Sequence, residues 1–69
     1  MNLDEYKYLW ESKKDWVLVK ELDEYVIINP VTQMALLVED EELNKALVMK
    51  MLECGNKIYN DIEAAYNDV

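Results

Sequence analysis

Apolar residues form short, closely spaced runs in the first half of the chain. Runs of β-forming side chains occupy residues 16–20, 24–29 and 34–38, and polar segments separate them. Asn29 followed by Pro30 predicts a tight turn before the last run, because Pro fixes φ and Asn suits the position before it. Short connections of this kind favour an antiparallel meander.

The segment at residues 6–10 fits two interpretations. Its Tyr and Trp side chains alternate with Lys7 and Leu9, which predicts an additional first strand. The same stretch also fits a short helix over residues 3–10 with Asn2 as its cap. We expect the strand and keep the helix as the alternative.

The apolar spacing changes to a helical repeat over residues 40–54. Asp40 suits the N-cap of this main helix, because its carboxylate can accept hydrogen bonds from the exposed amides of the first turn. Gly55 suits the left-handed conformation that ends many helices. A nucleophilic Cys54 would need a base or a cation beside it, and it lies at the end of the helix, so we expect it to pack in the interior; a single cysteine cannot form an internal disulfide.

A short C-terminal helix is expected over residues 60–66, with Asn60 as its cap and Glu63 completing a capping box. A brief extended segment at residues 56–59 can precede it. The order of elements predicts the α+β class: one domain over residues 1–69, with a three- to four-stranded antiparallel meander followed by the main helix and this short helix.

The central strands are apolar on both faces, although an antiparallel sheet with one wet face alternates apolar and polar residues. The main helix also carries more apolar residues than one packing face requires. We expect the C-terminal helix to cover part of this surface and a second copy to cover the rest, most simply as a two-fold dimer. The residues expected at that interface are Val48, Met49, Leu52 and Trp16.

The charge of the chain is strongly negative and unevenly distributed. Fifteen Asp and Glu residues oppose seven lysines, which gives a net charge of −8. In the predicted meander, the second turn and the start of the main helix share one end of the sheet, while Lys13 and Lys14 fall at the opposite end. The acidic residues expected together, here called the acidic rim, are Glu21, Asp23, Glu24, Glu39, Asp40, Glu41 and Glu42.

The composition argues against an enzyme. The chain has no His and no Arg, so the usual general base and the usual bidentate anion clamp are missing. With a single glycine it has no Gly-rich phosphate loop. The acidic run at residues 39–42 lacks the alternating spacing of a calcium loop. We therefore expect no catalytic residues, no metal site and no cofactor.

In its size, acidity and lack of catalytic groups the chain resembles the small inhibitors and immunity proteins of phages and mobile elements. That resemblance is one of type, with no shared residue pattern. It implies a non-enzymatic binder whose acidic rim occupies a basic surface of a partner protein, such as a nuclease or another nucleic-acid-handling protein, in place of nucleic acid. Direct binding of nucleic acid or of an anionic membrane is not expected, because both would repel the chain.

Two alternatives remain open. One is a homo-oligomer that sequesters a small molecule between subunits, in a pocket lined by Lys20 and the N-terminal aromatic residues. The other is a structural subunit of a larger assembly with extensive apolar interfaces. The acidic N-terminus has no signal-peptide pattern, so a cytoplasmic location is expected.

Overall fold

The computed structural model describes residues 3–68. Its elements, in chain order, are a 3₁₀ turn at Leu3–Tyr6, α1 at Tyr8–Glu11, β1 at Val17–Glu21, β2 at Glu24–Asn29, β3 at Met34–Leu36, α2 at Glu41–Cys54, β4 at Ile58–Tyr59 and α3 at Ile62–Asn67. The four strands form one sheet in the order β3-β2-β1-β4. The chain thus has the predicted α+β fold.

The sheet is mixed, whereas an antiparallel meander was expected. β1 pairs antiparallel with β2, and β2 pairs antiparallel with β3. The fourth strand is the brief segment at Ile58–Tyr59, which runs parallel to β1 with Leu18 opposite Ile58. A parallel partner requires a long crossover, and α2 is the helix within it. The strand expected at residues 34–38 ends earlier, at Leu36.

The strand predicted at residues 6–10 is wrong, and the helical alternative holds. The segment forms a 3₁₀ turn followed by α1, while the proposed cap Asn2 lies outside the described residues. The reason is that apolar residues in this segment also recur every three to four residues, which is a helical spacing. The alternation of the aromatic residues obscured it. Leu9 is fully buried against α2, and Tyr6 and Trp10 pack beside it on the same side.

Capping fixes both ends of α2 where the sequence predicts them. The Asp40 carboxylate accepts hydrogen bonds from the amides of Glu42 and Leu43, at 3.0 and 3.2 Å. At the other end Gly55 adopts φ 85°, and the amide of the next residue bonds back to the Met51 carbonyl at 3.0 Å. This double-bonded ending is the Schellman arrangement.

The cap of the last helix lies one residue later than expected. Asp61, and not Asn60, accepts the amide hydrogen of Ala64, at 2.7 Å. α3 then runs from Ile62 to Asn67. An ionised carboxylate stabilises the positive end of a helix more than an amide does, which explains the choice between the two neighbours.

Each face of the sheet has its own apolar cluster. On one face Leu18 and Ile27 pack with α1 and α2, through Leu9, Leu47 and other residues of those helices. On the other face a second cluster is closed by Ala65 of α3; its members are Val17, Val19, Ile28 and Ala65. Both apolar faces of the central strands are therefore covered within one chain, by α1 and α2 on one face and by α3 on the other.

Candidate functional site

Strand direction brings the two halves of the acidic rim to one end of the sheet. β1 ends at Glu21, and β2 starts at Glu24 after a two-residue turn. β3 runs parallel in direction to β1, since both are antiparallel to β2, so its carboxyl end lies at this same end. Leu36 pairs with Ile27, and three further residues lead to Glu39. We call this the acidic end of the sheet.

The turn at the acidic end combines three unfavourable features. Glu21 and Glu24 are directly opposite each other in the ladder, where like charges repel. Leu22 adopts φ 52°, in the left-handed region that disfavours residues with a β-carbon. Its side chain is 95% exposed. A leucine is thus held in solvent with acidic residues on both sides.

The carboxylates of the acidic rim are not neutralised by the chain itself. All seven rim residues are exposed. Within residues 3–68, none of them forms an ion pair with a lysine. The Asp40 carboxylate differs from the other six because it accepts hydrogen bonds as the cap of α2. The other six present negative charge to solvent.

The four residues predicted at an oligomer interface differ in how deeply they are buried. Val48 is 7% exposed and belongs to the core of its own chain. Leu52 and Trp16 are half-buried against the same cluster, and Met49 is 57% exposed. Dimerisation stays a prediction, but the sheet face that motivated it is covered by α3.

The N-terminal aromatic residues serve mainly as packing groups. Tyr6, Trp10, Trp16 and Tyr25 are half-buried against the first cluster. Tyr8 is 41% exposed and meets the Trp16 ring edge-on, with centroids 5.5 Å apart. Residues 3–68 contain no group of three or more metal-ligating His, Cys, Asp or Glu side chains.

The opposite end of the sheet carries a pocket of about 410 Å³ that the sequence did not predict. Its floor includes the buried residues Val17, Pro30 and Ala65. Lysines from the segment before β1 and from the position just before β4 lie around it. The charged lining residues are Lys13, Lys14, Lys57 and Asp68. We call this the lysine pocket.

A small polar network lies at the edge of the lysine pocket. The Asp68 carboxylate accepts a hydrogen bond from the Tyr59 hydroxyl at 2.5 Å, and the Lys57 ammonium lies 3.4 Å from it. The bonds from Tyr59 and Lys57 lower the pKa of Asp68, and the bond to Asp68 raises the pKa of Tyr59.

Lys13 binds the end of α2. Its ammonium donates to the Cys54 carbonyl at 2.8 Å, where a positive charge also complements the negative end of the helix. Asn56 fixes the same region from inside. It is 5% exposed, and its amide donates to the carbonyls of Leu9 and Trp16 at 2.8 and 2.9 Å.

The sequence predicts that Lys13 and Lys14 lie at this end, but it does not predict the other residues that form the pocket. Lys57, Tyr59 and Asp68 are brought there by the parallel strand β4 and by α3. No local pattern marks such a crossover. The exposed Leu22, by contrast, had a signal in the sequence, because it is an apolar residue between two acidic neighbours in a turn.

Comparison with protein-family models, with curated proteins and with solved structures finds no match to this chain. In the part of the chain that the structure describes, no helix has the length and apolar character needed to cross a membrane.

Proposed function

We propose that this protein is a non-enzymatic binder that docks its acidic rim on a basic surface of a partner protein. The observation that carries the proposal is the turn at the acidic end. There an exposed leucine in a strained conformation stands between two glutamates that repel each other. Features that cost stability in the free protein are common where a surface is shaped for binding.

The arrangement fits the known anatomy of protein interfaces. An apolar side chain that becomes desolvated on binding supplies affinity, while charged residues around it supply rate and specificity. Leu22 supplies the exposed apolar side chain, and the rim carboxylates at the same end of the sheet give a negative potential. A partner surface with Lys and Arg around a small apolar depression is complementary to it. Nucleic-acid-handling proteins such as nucleases carry basic surfaces.

The proposal is tested by affinity capture with two variants of equal charge. In the rim variant, amides replace the carboxylates of Glu21, Asp23, Glu24, Glu41 and Glu42. In the matched control, amides replace five exposed carboxylates outside the rim, at Glu5, Glu11, Asp15, Glu53 and Glu63. Asp40 and Asp61 are left intact in both because they cap helices.

We expect a basic protein from a nuclease-treated lysate to be retained by the natural chain and by the control, and to be lost from the rim variant. Moderate salt should release this protein, because added salt weakens the attraction between exposed charges. The screening length is about 8 Å at physiological ionic strength and becomes shorter as salt is added. Retention by the rim variant equal to that by the control would overturn the proposal. Circular dichroism on each variant confirms that the fold is kept.

A further inference from the structure

The lysine pocket concentrates positive charge in a protein that is otherwise acidic. Three of the seven lysines line it, against a single acidic side chain. Its charged lining residues, three lysines and one aspartate, therefore carry a net charge of +2. The chain as a whole carries −8.

The three lysines are not equally engaged. Lys13 donates to the Cys54 carbonyl, and Lys57 is shared with Asp68. Lys14 forms no hydrogen bond or ion pair with another residue in the described range 3–68. The Lys14 ammonium at the mouth of the pocket thus has free hydrogen-bond donors. The Lys57 ammonium, which also lines the pocket, is bonded only to an exposed carboxylate.

The rest of the pocket suits an apolar body. Val17 and Ala65 are almost fully buried on its floor beside Pro30, and Val31 on its wall is 58% exposed. Sites for small molecules are mostly apolar, with a few polar groups that fix orientation, and have volumes of about 300–1,000 Å³. The observed volume of about 410 Å³ lies within that range.

We propose that the lysine pocket binds a small organic phosphate monoester. The phosphate group is held by Lys14 and Lys57, and the organic body lies against Val17, Pro30 and Val31. A phosphate monoester suits the site because near pH 7 its charge approaches −2, which matches the net charge of the lining. Lysine is a point-charge ligand that suits phosphate without bidentate geometry.

Asp68 acts as an internal competitor in this proposal. Its carboxylate already occupies one side of the Lys57 ammonium and accepts the Tyr59 hydroxyl. A phosphate that approaches Lys57 must share this ammonium with Asp68 or displace it. Removal of the carboxylate should therefore strengthen phosphate binding.

The acidic rim does not prevent an anion from entering the pocket. β2 spans the sheet from Glu24 at the acidic end to Asn29 beside the pocket. At about 3.4 Å per residue this separation is about 17 Å. The Debye length at physiological ionic strength is about 8 Å, so exposed charges at the two ends are largely screened from each other.

Phenyl phosphate is the probe, titrated into the full chain and followed by ¹H–¹⁵N NMR at pH 7.5. We expect saturable shifts confined to the amides around the lysine pocket. The double variant K14Q/K57Q should weaken binding by about tenfold or more, because two charge-assisted hydrogen bonds are lost. D68N should tighten binding by about threefold, since a like charge is removed from the site.

Three controls separate the site from general charge. K45Q removes an exposed lysine on α2 outside the pocket and should leave the affinity unchanged. K14R/K57R keeps both charges and should restore binding. Phenol should not bind, and inorganic phosphate should bind more weakly than phenyl phosphate. Lowering the pH to 5.5 should weaken binding, because the phosphate gains a proton near pH 6.

The proposal is overturned by shifts that rise linearly without saturation, by equal loss of binding in K45Q and K14Q/K57Q, or by phenol binding as tightly as phenyl phosphate. D68N also keeps the test decisive if the double lysine variant does not fold. No change or a weakening of binding in D68N contradicts the role given to Asp68. None of these outcomes depends on the partner of the acidic rim.

Discussion

Residues in the left-handed region occur at both ends of the sheet: the acidic end and the opposite end with the lysine pocket, which we call the lysine end. At the lysine end these are Gly55, which adopts φ 85° without a side-chain penalty, and Gln33 in the turn between β2 and β3, at φ 59°. At the acidic end the left-handed residue is Leu22, which carries the same side-chain penalty as Gln33 but leaves an apolar side chain in solvent.

The pairing of charges differs between the two ends. At the lysine end Lys13 meets the Cys54 carbonyl and Lys57 meets Asp68, whereas Glu21 and Glu24 at the acidic end face each other. The lysine end pairs two of its lysines within the chain, whereas the acidic end leaves its carboxylates exposed to solvent. Stability measurements can therefore distinguish the two ends.

The largest effect is expected at Asn56, which holds the lysine end together. The variant N56A leaves the Leu9 and Trp16 carbonyls without their donor. Buried acceptors that lose a partner cost about 1–3 kcal/mol each, so we expect a loss of about 2–3 kcal/mol in the free energy of unfolding. Chemical denaturation measures it.

The matched control for Asn56 is N60A, which removes an exposed amide four residues later. That variant should change stability by less than about 0.5 kcal/mol. Equal losses in the two variants would show that Asn56 does not join α1 and β1 to the end of α2.

Gly55 should give the next largest effect. A β-carbon at this position meets no atom within 4 Å, so the cost of G55A is the backbone conformation alone. We expect a loss of about 1 kcal/mol, which in a domain of this size lowers the melting temperature by about 4–8 °C. G55N should lose less, because Asn tolerates the left-handed region better. Similar losses in both variants would contradict this account.

Leu22 should respond in the opposite direction. The variant L22N relieves the left-handed strain, and we expect a gain of about 0.5 kcal/mol in the free energy of unfolding. Leu37 is also highly exposed, at 86%, but has no positive φ, so L37N is the control and should leave stability unchanged. A stability loss in L22N would remove the evidence that the acidic end is strained. The proposed docking also predicts that L22N weakens partner binding.

The smallest effect concerns the pH dependence of the Tyr59–Asp68 contact. The pKa of Asp68 is lowered, so its stabilising contribution is present above its ordinary pKa and is lost as the pH falls through the folded value. The pKa of Tyr59 is raised, so its contribution is lost as the pH rises through the folded value. D68N should bring the Tyr59 titration, followed by NMR of its ring, back toward pH 10. E63Q in the same helix should leave it unchanged.

Local chemistry made much of the fold predictable. The Asn29-Pro30 turn forms between β2 and β3, where the Asn29 side chain accepts the amides of Val31 and Thr32. The ends of α2 follow from Asp40 and Gly55, whose preferences are intrinsic to the residue types. Such signals need no information about distant contacts.

The parts that the sequence left undecided depend on contacts between distant segments. α1 is four residues long and would not be stable alone, so its helical state rests on the burial of Leu9 against α2 and on Asn56. β4 is two residues long and exists because it pairs with β1. The acidic rim could be predicted from strand direction alone. The lysine pocket could not, because it forms only once β4 is in place.

The separation of charge along the strands also gives the molecule a large electric moment. In the field of a basic partner such a molecule rotates during its approach, so that the acidic end arrives first more often than chance allows. Encounters should then be faster and better oriented than the net charge alone predicts. If the proposed docking is correct, the same orientation would leave the lysine pocket facing away from the partner and open to solvent within the complex.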